Sequence, residues 1–302
     1  MTELRPPATR TPAVQTWLTV SACGVTVLLW ASAFVAIRKA GEQLSPGALS
    51  LGRLAIGSAV LGILVLVRRE RVRPTGRDWL RILILGAAWF GIYNVALNDA
   101  ERHVDAGIAA MVVNVGPILI ALLAGWLLKE GFARGLMGGS LLAFAGVVVI
   151  ALSASTGAHA DLVGIVLCIL AAVAYSIGVV SQKPLLGHLP GLSVTWLGCT
   201  VGMVVCVPFA PSLVHDVGQA GPGSLLLVAY LGVFPTAVGF TTWAYALRRT
   251  TAGKMGATTY LVPAVAIILG WLILGEQPAA LAVAGGVLCL AGVYLTRRRP
   301  RR

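Results

Sequence analysis

The chain has 302 residues, 58% of them hydrophobic and only 11% charged, and a mean hydropathy of +0.88. Soluble domains carry about a quarter charged residues, so the composition points to an integral membrane protein. A net charge of +12 raises nucleic acid as a partner. The basic residues instead sit in short clusters between apolar runs and at the C-terminus, as membrane proteins place them, and nucleic acid is excluded on that ground.

A bilayer core takes roughly 20 apolar residues per helix. Runs of about that length fall near 17–37, 46–67, 79–98, 106–128, 133–152, 161–181, 191–210, 223–247, 252–274 and 279–296, which predicts an all-α protein of ten transmembrane helices. Arg5 and Arg10 precede the first run as they would in a signal peptide. That run is longer than most signal h-regions, so it reads as an uncleaved first span behind a cytoplasmic tail at 1–16. The least regular spans are the seventh, which ends in Pro208 and Pro211, and the eighth, interrupted by Pro235. With the N-terminus inside, the inner segments hold nineteen Lys and Arg and the outer links only Arg38, Lys39 and Arg102. This predicts a multi-pass protein of the plasma or inner membrane with both termini cytoplasmic, the last being a basic tail at 298–302.

The fourth and ninth spans are near copies. Ala106–Glu130 reads AGIAAMVVNVGPILIALLAGWLLKE, and 146 positions later Ala252–Glu276 reads AGKMGATTYLVPAVAIILGWLILGE. Pro117 matches Pro263, Glu130 matches Glu276, and the register continues through Gly139/Gly285 and back to Leu85-Gly86/Leu231-Gly232. A repeat of half the chain divides it into 17–152 and 161–297. Five spans per half is odd, so the two halves enter the membrane in opposite senses, and a solute site is expected where inverted halves meet.

These residues resemble EamA domains, and the chain resembles ten-helix members of the drug/metabolite transporter superfamily. The resemblance rests on LLWASAFVAIRKA at 28–40, on Pro46–Arg53, and on the two proline-to-glutamate blocks with their Ala-Gly openings, most of all on 245–278. It covers about residues 17–297. It implies a secondary transporter that moves small organic solutes, often outward, by alternating access. Arg53 resembles an arginine the family places in span 2, but the matching second-half residue is Leu197, and Pro235 stands where span 3 has Trp89, which suggests a bend in only one of those helices.

No carboxylate lies in the middle of a span, the four histidines share no ligand spacing, and the five cysteines form no CxxC. With no Walker loop, HExxH or nucleophile elbow, no catalytic residue, metal or cofactor is expected, and the chain does not read as an enzyme. Asp99 and Glu101 stay as weak proton-coupling candidates at the outer end of span 3. Glu130 and Glu276 oppose the dipole at their own helix ends, so each is expected to cap a neighbouring helix start. Arg53 either snorkels outward, pairs with a carboxylate such as Asp99, or contacts an anionic solute group.

Polar and aromatic residues in repeat-related spans are the cavity candidates: Trp30, Arg53, Tyr93, Asn94, Asn98, Asn114, Tyr175, Trp243 and Tyr260. Each amide serves either as interhelical glue or as cavity wall. Pro117, Pro235 and Pro263 are candidate bending points. Glycines of spans 5 and 10 are expected to pack within a monomer, with a weak homodimer as the alternative. The partners expected are therefore the lipid bilayer and a small-molecule solute such as an amino acid or metabolite. The expected function is secondary transport, outward in direction. Drug or toxic-compound efflux by the same fold is one alternative, and a non-transporting receptor or scaffold another. A channel would need a polar ring, which a single Arg53 does not make.

Overall fold

The computed structural model describes residues 12–104, 109, 112–154, 161–274 and 280–297. Its regular elements are all helical: α1 (Pro12–Gly41), α2 (Pro46–Val67), α3 (Gly76–Ala100), α4 (Gly116–Leu127), α5 (Arg134–Ala154), α6 (Leu162–Leu185), α7 (Gly191–Gln219), α8 (Pro222–Arg249), α9 (Ala252–Thr258), α10 (Leu261–Leu274) and α11 (Ala280–Arg297). Local chemistry sets several starts. Ser45 is extended and Pro46 takes the first helical position of α2, where a missing N–H costs nothing. Thr75 and Asp78 cap α3 reciprocally, side chain to backbone in both directions.

Among the described residues, seven helices are long and apolar enough to cross a membrane: α1, α2, α3, α5, α6, α7 and α8. Three of the ten expected spans fall short among the described residues: the fourth and ninth because they are broken, and the tenth because its apolar helix runs only over Ala280–Thr296. The helix is interrupted at Asn114–Val115 before α4, and at Thr259–Tyr260 between α9 and α10. Each break lies just upstream of a proline, Pro117 or Pro263, which has no N–H to offer the carbonyl four residues earlier. The seventh span overruns its expected end. A 3-10 turn at Val207–Phe209 carries the chain past Pro208 into a further helical stretch, Ala210–Gln219.

Helices α3 and α8 each contain a π-helical stretch, Gly86–Ile92 in one and Gly232–Gly239 in the other. The shift of 146 superimposes them. This corrects the expectation that only the proline-bearing span would distort, because the copy with Trp89 in place of Pro235 does so too. Close packing accompanies both. A Cβ on Gly86 would lie 2.7 Å from the Gly198 carbonyl, and one on Gly232 would lie 2.9 Å from the Arg53 carbonyl. A widened turn in α3 meets α7, and the one in α8 meets α2.

The halves therefore interlock. Helices α1 and α2 of the first half pack on α8 of the second, while α6 and α7 of the second pack on α3 of the first. The seam between α5 and α11 is reciprocal in detail. A Cβ on Gly139 would meet the Gly292 carbonyl at 2.6 Å, and one on Gly292 the Gly139 carbonyl at 2.6 Å. Gly146 and Gly285 stand in the same relation, at 2.6 and 2.7 Å. Exchanging halves sends Gly139 to Gly285 and Gly146 to Gly292, so this set of contacts maps onto itself, as contacts across a two-fold axis do. Large apolar side chains such as Trp126, Leu66 and Val214 stay exposed on the outer faces, which suits a lipid surround.

Candidate functional site

The centre of the bundle is a layer of aromatic rings. Trp30 of α1 stacks on Trp243 of α8 at 5.0 Å between centroids and 27° between planes, and meets Trp89 of α3 edge-on at 6.0 Å. Trp89 also touches Phe240 at 4.8 Å and Tyr175 of α6 at 5.1 Å. Such pairs are worth about 0.5–1.5 kcal/mol each beyond the area they bury. Hydrogen bonds fix the two indoles: Trp30 Nε1 donates to the Pro235 carbonyl at 3.3 Å, and Trp243 Nε1 donates to Gln182 Oε1 at 3.1 Å.

A cavity of about 90 Å³ lies on one side of this layer. Its wall holds Trp30, Phe34 and Ile37 of α1, Arg53 of α2, Trp89, Tyr93, Asn94 and Leu97 of α3, Asn114 and Pro117 at the first helix break, Tyr175, Phe240, and Thr259 at the second break. These positions fall toward the end of the bundle where α1 and α3 finish and α2 and α4 begin. Both broken segments thus contribute to one cavity, a placement typical of discontinuous helices in transporters.

Arg53 is 5% exposed. Its Nε and Nη2 both donate to Thr236 Oγ1, at 3.2 and 3.1 Å, and among the described residues it has no carboxylate partner. Thr236 lies in the π stretch of α8, so this contact joins the halves. A guanidinium has five N–H donors, and the rest are left to the cavity. Of the three readings of Arg53, the pair with Asp99 does not form among the described residues. Asn94 Nδ2 donates to the Phe90 and Trp89 carbonyls at 2.8 and 3.3 Å, bridging the end of the π stretch, which leaves its Oδ1 as the remaining polar atom. Tyr175 donates to Thr259 Oγ1 at 3.5 Å.

A second cavity of about 170 Å³ lies toward the opposite end, walled by Thr19 and Cys23 of α1 and by Thr250, Lys254, Met255 and Thr258. Neighbouring residues of the second break, Thr258 and Thr259, face different cavities. Between the two, α1 is tied to α8 where Thr26 Oγ1 meets Thr242 Oγ1 at 2.8 Å and donates to the Gly239 carbonyl.

Three expected cavity residues lie elsewhere. Asn98, one turn beyond Asn94, turns to α2 and donates to Ser50 Oγ at 3.0 Å. Trp243 is sealed beneath Trp30. Tyr260 is fully buried against Cys289 and its neighbours, and among the described residues its hydroxyl has no hydrogen-bond partner. Thr259, Phe34 and Trp89 take wall positions that polarity alone did not single out, although Trp89 was marked as the repeat mate of Pro235. Thr236 and Gln182 gave no sequence signal.

Glu130 follows Lys129, whose φ of 56° turns the chain away from the end of α4. Its carboxylate accepts from the Ala252 and Gly253 backbone N–H groups at 2.8 and 3.3 Å, at the start of α9. A carboxylate there meets the positive end of the helix dipole and is worth about 0.3–1 kcal/mol, more when partly buried. Lys183 of α6 donates to the Leu247 and Thr250 carbonyls at the end of α8, the complementary cap. Glu276 lies outside the described residues.

Membrane-length apolar helices around a central polar and aromatic cavity define a multi-pass membrane protein of the transporter kind. The chain belongs to the EamA-like transporter family, whose model matches residues 17–152 and 162–298. It is 37% identical over 91% of its length to a probable terminal-alkyne amino-acid exporter of Streptantibioticus cattleyicolor, covering 92% of that protein. It is 24% identical over 89% of its length to a probable amino-acid metabolite efflux pump of Salmonella typhimurium, covering 91% of it. A solved crystal structure shares the fold with a TM-score of 0.75 at 20% identity, over 95% of this chain and 97% of that one.

Proposed function

We propose that the protein exports small organic metabolites or amino acids by alternating access, through the cavity that Arg53 shares with Trp30, Tyr93, Asn94, Asn114 and Tyr175. One observation carries the reading: a buried arginine faces that cavity with a threonine hydroxyl as its sole hydrogen-bonding partner among the described residues. Holding a cation at that depth is costly unless a counter-charge or water joins it. A solute carboxylate supplies the counter-charge and takes the free face of the guanidinium, while the rings hold the solute's apolar part. The amino-acid exporters among its relatives support that solute class.

The halves are taken as an inverted repeat with both termini cytoplasmic. The Lys and Arg distribution supports the orientation, and the self-mapping contacts of the α5–α11 seam support the repeat. In this reading the first cavity opens outward and the aromatic layer blocks passage to the second. Transport exchanges the two by moving segments that bend at Pro117, Pro263 and the π stretch around Pro235, while Glu130 holds α9 to the first half as a structural cap. The test is counterflow of labelled L-norleucine in proteoliposomes. Wild-type protein is expected to exchange it, and Arg53→Gln to lower the rate at least about tenfold, as expected on losing a charge-assisted bond. An unchanged rate in Arg53→Gln overturns the role of Arg53.

A further inference from the structure

On α3, Tyr93 and Leu97 face the cavity. Position 101 continues that stripe by another four residues, so Glu101 stands one turn beyond Leu97 on the same face of the helix. It follows directly on the last residue of α3. Opposite it, α1 presents Arg38 just past the cavity residue Ile37. Glu101 is partly buried, yet among the described residues its carboxylate makes no hydrogen bond and no ion pair within 4 Å. Asp99 is likewise without a side-chain partner among the described residues but is not in register with Tyr93 and Leu97, while two other acidic groups at this end are engaged. Asp161 pairs with His103 at 3.2 Å and Asp216 accepts from Ser45.

Tyr93 lies within electrostatic range of both Arg53 and Glu101. Charge is therefore ordered along α3, with the Arg53 cation and the Tyr93 phenol in the cavity wall and the Glu101 carboxylate one turn beyond Leu97, the last α3 residue of that wall. The charged and titratable groups around Glu101 are Arg38 of α1, Tyr93 and Asp99 of its own helix, and Cys168 of α6. The neighbouring link adds Arg102 and the His103–Asp161 pair. Arg38 is the facing cation, and it is exposed to solvent rather than paired with the carboxylate.

We propose that Glu101 is the cation-binding group of the cavity mouth, which holds the ammonium of a zwitterionic solute and releases it when a proton takes the ammonium's place. This rests on the transport reading above and extends it from a carboxylate-bearing solute to one that also carries an amine. Proton and ammonium compete for one carboxylate, so solute leaving at the mouth is exchanged for a proton taken up there. Burial, opposed by the Arg38 charge, pushes the Glu101 carboxyl up to about 7. Above that pH the group is ionised and pairs with an amine. Below it the group is neutral and the ammonium loses its partner.

The experiment compares binding of L-norleucine with that of hexanoate, which keeps the carboxylate and lacks the amine, to purified full-length protein at about pH 8 and about pH 5.5, on either side of the titration. Wild-type protein is expected to favour norleucine at least about tenfold at the higher pH and to lose most of that preference at the lower one. Glu101→Gln should bind both compounds alike at both pH values, while Glu101→Asp keeps a pH-dependent preference and Asp99→Asn matches wild type. A norleucine preference that survives in Glu101→Gln, one absent from wild type, or one lost in Asp99→Asn overturns the proposal. Hexanoate reports separately on Arg53. If Arg53→Gln binds hexanoate as wild type does, the carboxylate contact fails, whereas a norleucine preference that still follows Glu101 and pH upholds the ammonium site.

Discussion

The two helix breaks share a backbone design and differ in what they present. In the first, Asn114 stands in the turn and faces the cavity; in the second, its repeat mate Tyr260 is packed away and the preceding residue, Thr259, takes the wall position. The same contrast recurs at the π stretches. Gly86–Ile92 sends Trp89 into the aromatic layer, while Gly232–Gly239 supplies the Pro235 carbonyl to Trp30 and the Thr236 hydroxyl to Arg53. Arg53 has Leu197 as its counterpart. Lys183 caps α8, while its counterpart Lys39 pairs with Glu42 at the surface. The halves share breaks, widened turns and glycine contacts, which set where backbones run. Their side chains differ, and the difference makes one asymmetric site.

If the shared backbone is what holds the halves together, its tight glycine contacts should be the least tolerant of change. Gly139→Val drives a branched side chain into the Gly292 carbonyl and the Thr296 backbone. It is expected to cost more than about 3 kcal/mol and to abolish a folded, monodisperse protein. The adjacent Gly138 has nothing within 4 Å of an added Cβ, and Gly138→Val should leave the thermal unfolding midpoint within a few degrees. Equal tolerance at the two positions would break the comparison at its backbone end.

A smaller effect sharpens the side-chain end. Asn98→Ala removes the α3–α2 bond to Ser50 and is expected to cost about 1 kcal/mol of stability, seen as a lower unfolding midpoint, with solute affinity retained. Asn94→Ala should lower affinity several-fold and, through loss of its bonds to the Phe90 and Trp89 carbonyls, lower the midpoint as well. If both variants lose affinity alike, Asn98 belongs to the site after all.

Reading the chain alone reached the architecture further than the site. Helices declare themselves through long apolar runs, and α2 begins and ends where its run does, at 46–67, because Pro46 opens it and Arg68 closes it. The repeat was visible because glycine and proline spacings survive when surrounding side chains drift. The π stretches were not visible. Each coincides with close approach of a second helix, to Gly86 and to Gly232, a tertiary feature that no local pattern encodes, and only the second contains a proline, Pro235. Asn94 and Asn98 share a helical face by spacing, yet one borders the cavity and the other meets Ser50. The distance from α2, fixed by packing, decides between them. Tyr260 was singled out as the mate of Asn114, but its size lets it fill a gap against α5 and α11, leaving Thr259 for the wall.

Cysteine labelling tests the central claim, that the first break supplies a wall of an open cavity and the second break's Tyr260 does not. The five native cysteines are all buried, so a membrane-impermeant maleimide applied to intact right-side-out vesicles starts from a low background. Asn114→Cys is expected to label readily and to be protected by saturating L-norleucine, while Tyr260→Cys stays unlabelled. Equal labelling at both positions, or labelling of Asn114→Cys that the solute leaves unchanged, would contradict the account.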